Sequence, residues 1–176
     1  MRIISGKYKG RKLMFTTNKQ LRPTQDRVKE SVFNILNSHC HKAIVLDAFS
    51  GSGSLGLEAL SRGAKHVVFI DKEVSYIKEN VSWVDEKEAI TIIQADAITY
   101  CKKTDVNFDL IFLDPPWEMP HLFDRALKAI FDFDILNPNG IIVCEHKKKM
   151  INFDNYNCFK QVNYGQKRIS LIRGHQ

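Results

Sequence analysis

From residue 43 onward, short apolar runs alternate with segments of helical periodicity, and this rhythm limits the fold more than any other feature. Ala43–Asp47, His66–Asp71, Ile90–Ile93, Phe108–Leu113 and Gly140–Glu145 read as buried strands bounded by turn signals. Helices are predicted between them. One runs from Ser54 to Arg62 and is stopped by Gly63. The next carries Val74, Ile77, Val81 and Val84, followed by a short one over Ala97–Lys103 and a longer one over Leu122–Phe133. Strand and helix in alternation predict an α/β fold with a mostly parallel sheet covered on both faces. Cys158–Val162 and Lys167–Ile172 read as a closing antiparallel pair, which brings the sheet to seven strands. In such sheets ligands bind beyond the carboxyl ends of the strands, near the switch in strand order.

The segment before this rhythm is of another kind. Residues 2–15 alternate around Gly6 and Gly10, which predicts a short β-hairpin: Arg2–Ser5, a turn, then Arg11–Phe15. A polar stretch over 16–22 follows. Pro23-Thr24 then opens a helix, with Thr24 as its expected N-cap and Val28, Ser31, Val32, Ile35 and Leu36 on one face. At 176 residues one domain is expected over 1–176, with 1–24 as an N-terminal arm and 25–176 as the core including its leading helix. Residues 1–30 hold nine Lys/Arg and two acids, a net of +7, whereas the remaining 17 bases and 18 acids nearly cancel. A basic block on a near-neutral body points to contact with phosphates, although a charge run alone often marks only a solvated tail.

Other classes are disfavoured. No apolar run approaches the roughly 20 residues of a membrane span, and the N-terminus lacks the apolar stretch of a signal peptide. A cytoplasmic protein without a membrane partner is expected. Cys40, Cys101, Cys144 and Cys158 are scattered, which fits a reducing compartment better than a disulfide framework or a zinc site. His39-Cys40-His41 reads as the polar end of a helix, and no metal is assigned.

Gly51-Ser52-Gly53-Ser54-Leu55-Gly56 matches G-x-G-x-x-G between a strand and a helix. Alone it is a weak signal, and its default reading is a dinucleotide pyrophosphate. Two details point elsewhere. Asp47-Ala48-Phe49-Ser50 delays the first glycine and puts a carboxylate at the strand end, where it would repel a pyrophosphate but hold an ammonium. Asp71 ends the next strand, where an acid typically binds ribose hydroxyls. An amino-acid end, a ribose and no phosphate describe S-adenosylmethionine. Its expected contacts are Asp47, Phe49, Ser50, Gly51, Gly53, Asp71, Lys72, Asp96, Ala97 and Asp114, with Asp96 accepting from an adenine amine and the Ala97 N–H donating to the ring. Any one aspartate alone reads as a strand-end or N-cap residue. Glu145 is a weaker candidate, which could simply pair with Lys147.

At the end of the fourth strand stands Asp114-Pro115-Pro116-Trp117. Each proline fixes its own φ and pushes the preceding residue toward extended geometry. Neither has an N–H, so the Asp114 and Pro115 carbonyls form a stiff ledge of acceptors beside a flat indole. Such a ledge suits a planar group bearing an NH2. A strand-ending turn in which Trp117 fills a core gap is an equally good reading of these four residues by themselves.

The loop together with Asp-Pro-Pro-Trp resembles the amino-methyltransferases, which methylate exocyclic nitrogens. A narrower resemblance lies in Arg2–Leu13 and in Arg22-Pro23-Thr24-Gln25-Asp26-Arg27 through Leu36, and again in Leu46–Ala64, Phe108–Pro116 and Tyr164-Gly165. On these residues the chain resembles the bacterial RsmD family of guanine-N2 methyltransferases acting on small-subunit (16S) ribosomal RNA. Ala48 and Ser50 depart from the expected Leu and Ala, and Trp117 from the usual Tyr or Phe. Residues 147–160 match weakly.

The resemblance implies a Rossmann-like class I methyltransferase with a seven-stranded, mostly parallel sheet, an antiparallel C-terminal strand, and an N-terminal β-hairpin and helix. It implies S-adenosylmethionine as methyl donor, no metal, catalysis at Asp114, Pro115, Pro116 and Trp117, and a monomer working on ribosomal RNA or the small ribosomal subunit. Phosphates would be held by Arg2, Lys7, Lys9, Arg11, Lys12, Arg22 and Arg27. Rival readings are adenine-N6 methylation of RNA or DNA, methylation of a protein glutamine, a nicotinamide-dependent oxidoreductase, and a non-catalytic RNA-binding or ribosome-assembly module.

Overall fold

The computed structural model describes residues 1–15, 23–148 and 151–174, with backbone alone at 23–25. Arg22, one of the expected phosphate contacts, lies outside the described residues. The strands are β1 (Ile44–Ala48), β2 (His66–Asp71), β3 (Ile90–Gln94), β4 (Phe108–Leu113), β5 (Leu136–Lys147), β6 (Cys158–Tyr164) and β7 (Lys167–Arg173). The helices are α1 (Pro23–Leu36), α2 (Ser54–Ser61), α3 (Ser75–Asn80), α4 (Ala97–Cys101) and α5 (His121–Asp132). The sheet order is β3-β2-β1-β4-β5-β7-β6. Strands β1 to β5 are parallel, and β7 runs antiparallel to both β5 and β6. The predicted seven-stranded sheet is therefore present, with β7 inserted between β5 and β6.

Side-chain alternation divides the core between the two faces of the sheet. Val45, Val67, Phe69, Leu110, Phe112, Val143 and Ile169 pack with α1, α2 and α3 on one face. Leu46, Val68, Ile70, Ile111, Leu113 and Ile142 pack with α4 and α5 on the other. Continuous apolar strands are what a sheet covered on both sides requires. The helix predicted across Val74 to Val84 is shorter than its apolar pattern, because only Ser75–Asn80 is helical and Val81 and Val84 are buried in the turns that follow. Cys40, Cys101 and Cys144 are buried free thiols. Burial pushes the Cys40 and Cys101 pKa values up to about 12. Among the described residues no helix is long and apolar enough to cross a membrane.

Two expectations about the N-terminus need correction. The predicted hairpin forms, closed by the Arg2–Lys12 antiparallel bridge and by the Ile3 N–H to Arg11, Gly10 N–H to Ile3 and Leu13 N–H to Met1 carbonyl bonds, but it is shorter than the predicted Arg2–Ser5 and Arg11–Phe15 strands. The reason lies in where its backbone groups go. The Ile4 and Ser5 N–H groups donate to the Glu58 carboxylate, the Lys7 N–H to the Ser61 carbonyl and the Tyr8 N–H to the Ser61 hydroxyl. The arm is zipped to itself at its base and laid on α2 along the rest. Gly6 makes this possible: a Cβ there would sit 1.8 Å from the Ser61 carbonyl oxygen, and its φ is +84°. The second correction concerns Thr24. The helix begins at Pro23, so Thr24 falls in the first turn rather than at the cap. Proline at the first helical position explains the shift, because its missing N–H has no partner to lose there.

Candidate active site at the carboxyl end of the sheet

Strand register brings the predicted acids to one rim. Ala48 lies opposite Ile70 and Leu113, Ile70 opposite Ile93, and Leu113 opposite Cys144. One step further along each strand come Phe49, Asp71, Gln94, Asp114 and Glu145. β1 and β4 are neighbours, and chain order reverses between them, so the glycine loop and the Asp-Pro-Pro-Trp ledge flank the switch point where α/β sheets bind ligands.

The loop is held in a shape few sequences can adopt. Phe49, Gly51 and Gly53 all have positive φ, at 62°, 55° and 75°. A non-glycine residue in that region is strained, and such strain persists where surrounding contacts enforce it. The contacts are specific. The Ser50 N–H and hydroxyl both donate to the Ile70 carbonyl at 3.0 and 2.9 Å. The Gly51 N–H donates to Asp71 at 2.8 Å, and the Asn80 amide donates to the Ser52 carbonyl at 2.9 Å. Asp47 is buried and accepts the Gly56 N–H at 2.8 Å. Burial pushes the Asp47 carboxyl up to about 8; the Gly56 N–H opposes the rise and the nearby Asp71 charge adds to it.

The glycines divide the labour. A Cβ at Gly56 would meet the Phe69 ring at 2.4 Å, so this glycine lets α2 close on β2. A Cβ at Gly51 would meet nothing within 4 Å, so this glycine faces open space at the rim. An open cradle of backbone with the partly exposed Asp71 carboxylate beside it fits the amino-acid and ribose portions of S-adenosylmethionine. Asp96 caps α4 by accepting the Thr99 N–H and hydroxyl at 2.9 and 3.0 Å, and pairs with Lys72 at 3.4 Å. Partial burial raises its pKa, but Thr99 and Lys72 together hold it below the usual value. Ala97 is buried at the start of that helix.

On the β4 side, Asp114 is half-buried, Pro115 buried, Pro116 exposed and Trp117 half-buried. Trp117 does not simply fill a core gap: the ammonium groups of Lys147 and Lys167 stand 5.4 and 5.5 Å from its ring centroid. Glu145 pairs with Lys167, not with Lys147. Lys147 and Lys167 are cross-strand partners, and both share a sheet face with Glu145. A cavity of about 30 Å³, room for a water or two, lies between α1 and this rim, with Lys29 and Glu145 on its wall. A larger cleft of about 510 Å³ is lined by Lys7, Lys65, His66 and Glu86. It sits at the start of β2, the opposite end of the strands from the rim.

The basic arm is less uniform than its sequence. Lys7 and Tyr8 both bond to Glu86, and Arg11 stacks 4.8 Å from the Trp83 centroid. Those bonds to Lys7 and Tyr8 hold the Glu86 carboxyl down at about 2. Arg2 lies 3.7 Å from Asp26. Lys9, Lys12 and Arg27 are exposed, and no ion pair is formed by these three among the described residues.

A family model described as Conserved hypothetical protein 95 matches residues 1–173. The chain belongs to that family, the RsmD family. Ribosomal RNA small subunit methyltransferase D of Haemophilus influenzae is 38% identical over 173 residues, covering 94% of this chain and 89% of that relative. The protein of the same name from Escherichia coli K12 is 38% identical over 148 residues, covering 82% and 74%. The solved structure of yhhF from Escherichia coli superposes with a TM-score of 0.86 at 29% identity, covering 98% of this chain and 97% of that one. The architecture is that of the class I methyltransferases.

Within this RsmD-family chain, three functional supports escape a reading of the sequence. Glu58 is fully buried on α2 and takes the Ile4 and Ser5 N–H groups, Arg62 at 2.8 Å and Lys29 at 3.3 Å. Lys29 also donates to the Arg2 carbonyl and the Ser54 hydroxyl, and burial lowers its pKa against the pull of Glu58. Asn80, 1% exposed, exchanges two bonds with the Met14 backbone while holding Ser52. Arm, leading helix and glycine loop are thus one hydrogen-bonded unit. The only hint in the sequence is a Glu inside the otherwise apolar Leu55–Leu60 run.

Proposed function

We propose that the chain transfers a methyl group from S-adenosylmethionine to the exocyclic N2 amine of a guanine in small-subunit ribosomal RNA. The observation that carries this reading is the register of the rim, with the Gly51–Gly56 loop and Asp114-Pro115-Pro116-Trp117 facing each other across β1 and β4. The names of the relatives support ribosomal RNA as substrate. Guanine N2 rests on the resemblance of the arm and the Arg-Pro-Thr segment.

Gly51, Gly53, Phe49, Ser50 and Asp71 hold the cofactor, with Lys72, Asp96 and Ala97 toward its adenine. Asp47 acts by bracing the loop through Gly56. When bound, S-adenosylmethionine supplies an electrophilic methyl carbon on a sulfonium. The guanine amine is a poor nucleophile because its lone pair is delocalised into the ring. Asp114 and the Pro115 carbonyl accept its N–H bonds, localise the lone pair and aim it, and alignment supplies much of the rate. The Asp114 charge offsets the positive charge developing on nitrogen and takes the departing proton. Trp117 stacks on the base, which must be splayed out of its strand to reach the ledge. Labelled methyl transfer to total RNA and to small ribosomal subunits, followed by nucleoside mass analysis, tests the reading. N2-methylguanosine is the expected product. N6-methyladenosine would overturn the base assignment, and no transfer to either substrate would overturn the activity.

A further inference from the structure

The end of the sheet beyond β5 carries a charge arrangement that neither the family motifs nor the cofactor site uses. Lys147 and Lys167 stand directly opposite each other on antiparallel strands. Like charges in that position cost a sheet stability. Both ammonium groups nevertheless converge on one indole, at 5.4 and 5.5 Å from the Trp117 centroid. One of them, Lys167, is neutralised in part by Glu145. Lys147 and its neighbour Lys148 are exposed. Glu118, which follows Trp117 in the chain, is also exposed. Glu145 and Ile169 face the α1 side of the sheet, and the alternation puts Lys147 and Lys167 on that side too. The arm packs on the same side, since Ile3 and Leu13 belong to that face of the core.

We infer that Lys147 and Lys167 form a phosphate clamp for the RNA nucleotide whose base is presented to Trp117. A base stacked on the indole brings its own backbone within reach of long side chains rooted beside that ring. Two ammonium groups there neutralise the flanking phosphates and set the depth of the base on the ledge, without reading sequence. Glu145 competes with the phosphate for Lys167 and so limits how tightly the clamp holds. The basic arm and the lysine pair would then grip one RNA strand on two sides of the rim. The inference rests on the RNA-methylation reading above, but it is tested by binding, which needs no turnover.

The experiment measures the affinity of the full chain for small-subunit ribosomal RNA across a salt series. Each lost contact to single-stranded RNA flattens the slope of log K against log salt by about 0.7, so Lys147→Gln with Lys167→Gln should flatten it by about 1.4. S-adenosylmethionine affinity and the melting temperature should stay near those of the parent chain. Glu145→Gln should act in the opposite sense, strengthening RNA binding and steepening the slope. That second variant keeps the test decisive if the double variant folds poorly. An unchanged slope in both would overturn the clamp. A flattened slope in a chain that methylates no RNA would instead overturn the activity while leaving the clamp standing.

Discussion

A carboxyl group sealed behind a glycine loop is an awkward charge to keep, and Asp47 illustrates the consequence. In the unfolded chain it titrates near 3.8, and in the folded one at about 8. Between these values the folded state binds more protons. The contribution of Asp47 to stability is therefore whole below pH 3.8 and is lost as pH rises through about 8. Asp47→Asn keeps an acceptor for the Gly56 N–H and removes the titration. Thermal unfolding of the variant and the parent should differ more at pH 8.5 than at pH 5, in favour of the variant; equal differences would show that Asp47 ionises no differently on folding. Asp114 is tested by turnover. Asp114→Ala should lower kcat by about 10²–10⁴-fold, the range for losing a positioned proton acceptor and its charge. Cofactor affinity, read by calorimetry, should be largely kept. Asp114→Asn retains acceptors for the amine but takes no proton, so activity restored in it would reduce Asp114 to a positioning residue.

At the scale of elements, the two outer glycines of the loop should fail in different ways. Gly56→Ala forces a Cβ to 2.4 Å from the Phe69 ring and 2.8 Å from Val67, which pushes α2 off β2. Overpacking of this kind costs about 1–3 kcal/mol, measurable as a lower denaturant midpoint. Gly51→Ala meets open space and loses only the ease of a φ of +55°, a strain of about 1–2 kcal/mol. Its larger effect should be on cofactor affinity, because the added methyl fills the cradle. These elements were legible before the structure. The apolar runs Val67–Ile70 and Phe108–Leu113 fall on the observed strands, since a strand buried on both faces leaves no other reading for so short a run. Phe33 was missed on α1, where it packs 5.6 Å from Phe112 and under the Arg62 guanidinium. The helical spacing puts Ser31 and Ile35, both half-buried, on the expected apolar face and Phe33 off it. Glu58 is hinted at only by its place in an apolar run, and the buried Lys29 and Asn80 are not legible at all. Each is polar by composition, and only long-range contacts decide that it is inside.

For the whole molecule, the asymmetry of charge was read correctly from the first 30 residues, but its distribution was not. Lys7 and Arg11 are committed to Glu86 and Trp83, and the exposed Lys9 and Lys12 remain to meet a polyanion. Lys9→Gln with Lys12→Gln should flatten the salt dependence of RNA binding by about 1.4 without lowering the melting temperature. Lys7→Gln should lower the melting temperature slightly as well, because it removes one of the arm's two bonds to Glu86 and leaves that of Tyr8. A salt slope indifferent to Lys9 and Lys12 would return the arm to a purely structural role. The position of β7 was likewise beyond reach of the sequence, because chain order alone would pair β5 with β6. Insertion of β7 between them has a temporal consequence. During synthesis β6 is made first and has no place in the sheet until Lys167–Arg173 has been added. A nascent chain that has passed Lys147 but not Lys167 already owns its glycine loop and its ledge, yet its β5 edge is bare. Addition of β7 covers that edge and carries Lys167 to Trp117, so the shielding of β5 and the completion of the charged wall beside the indole are a single event.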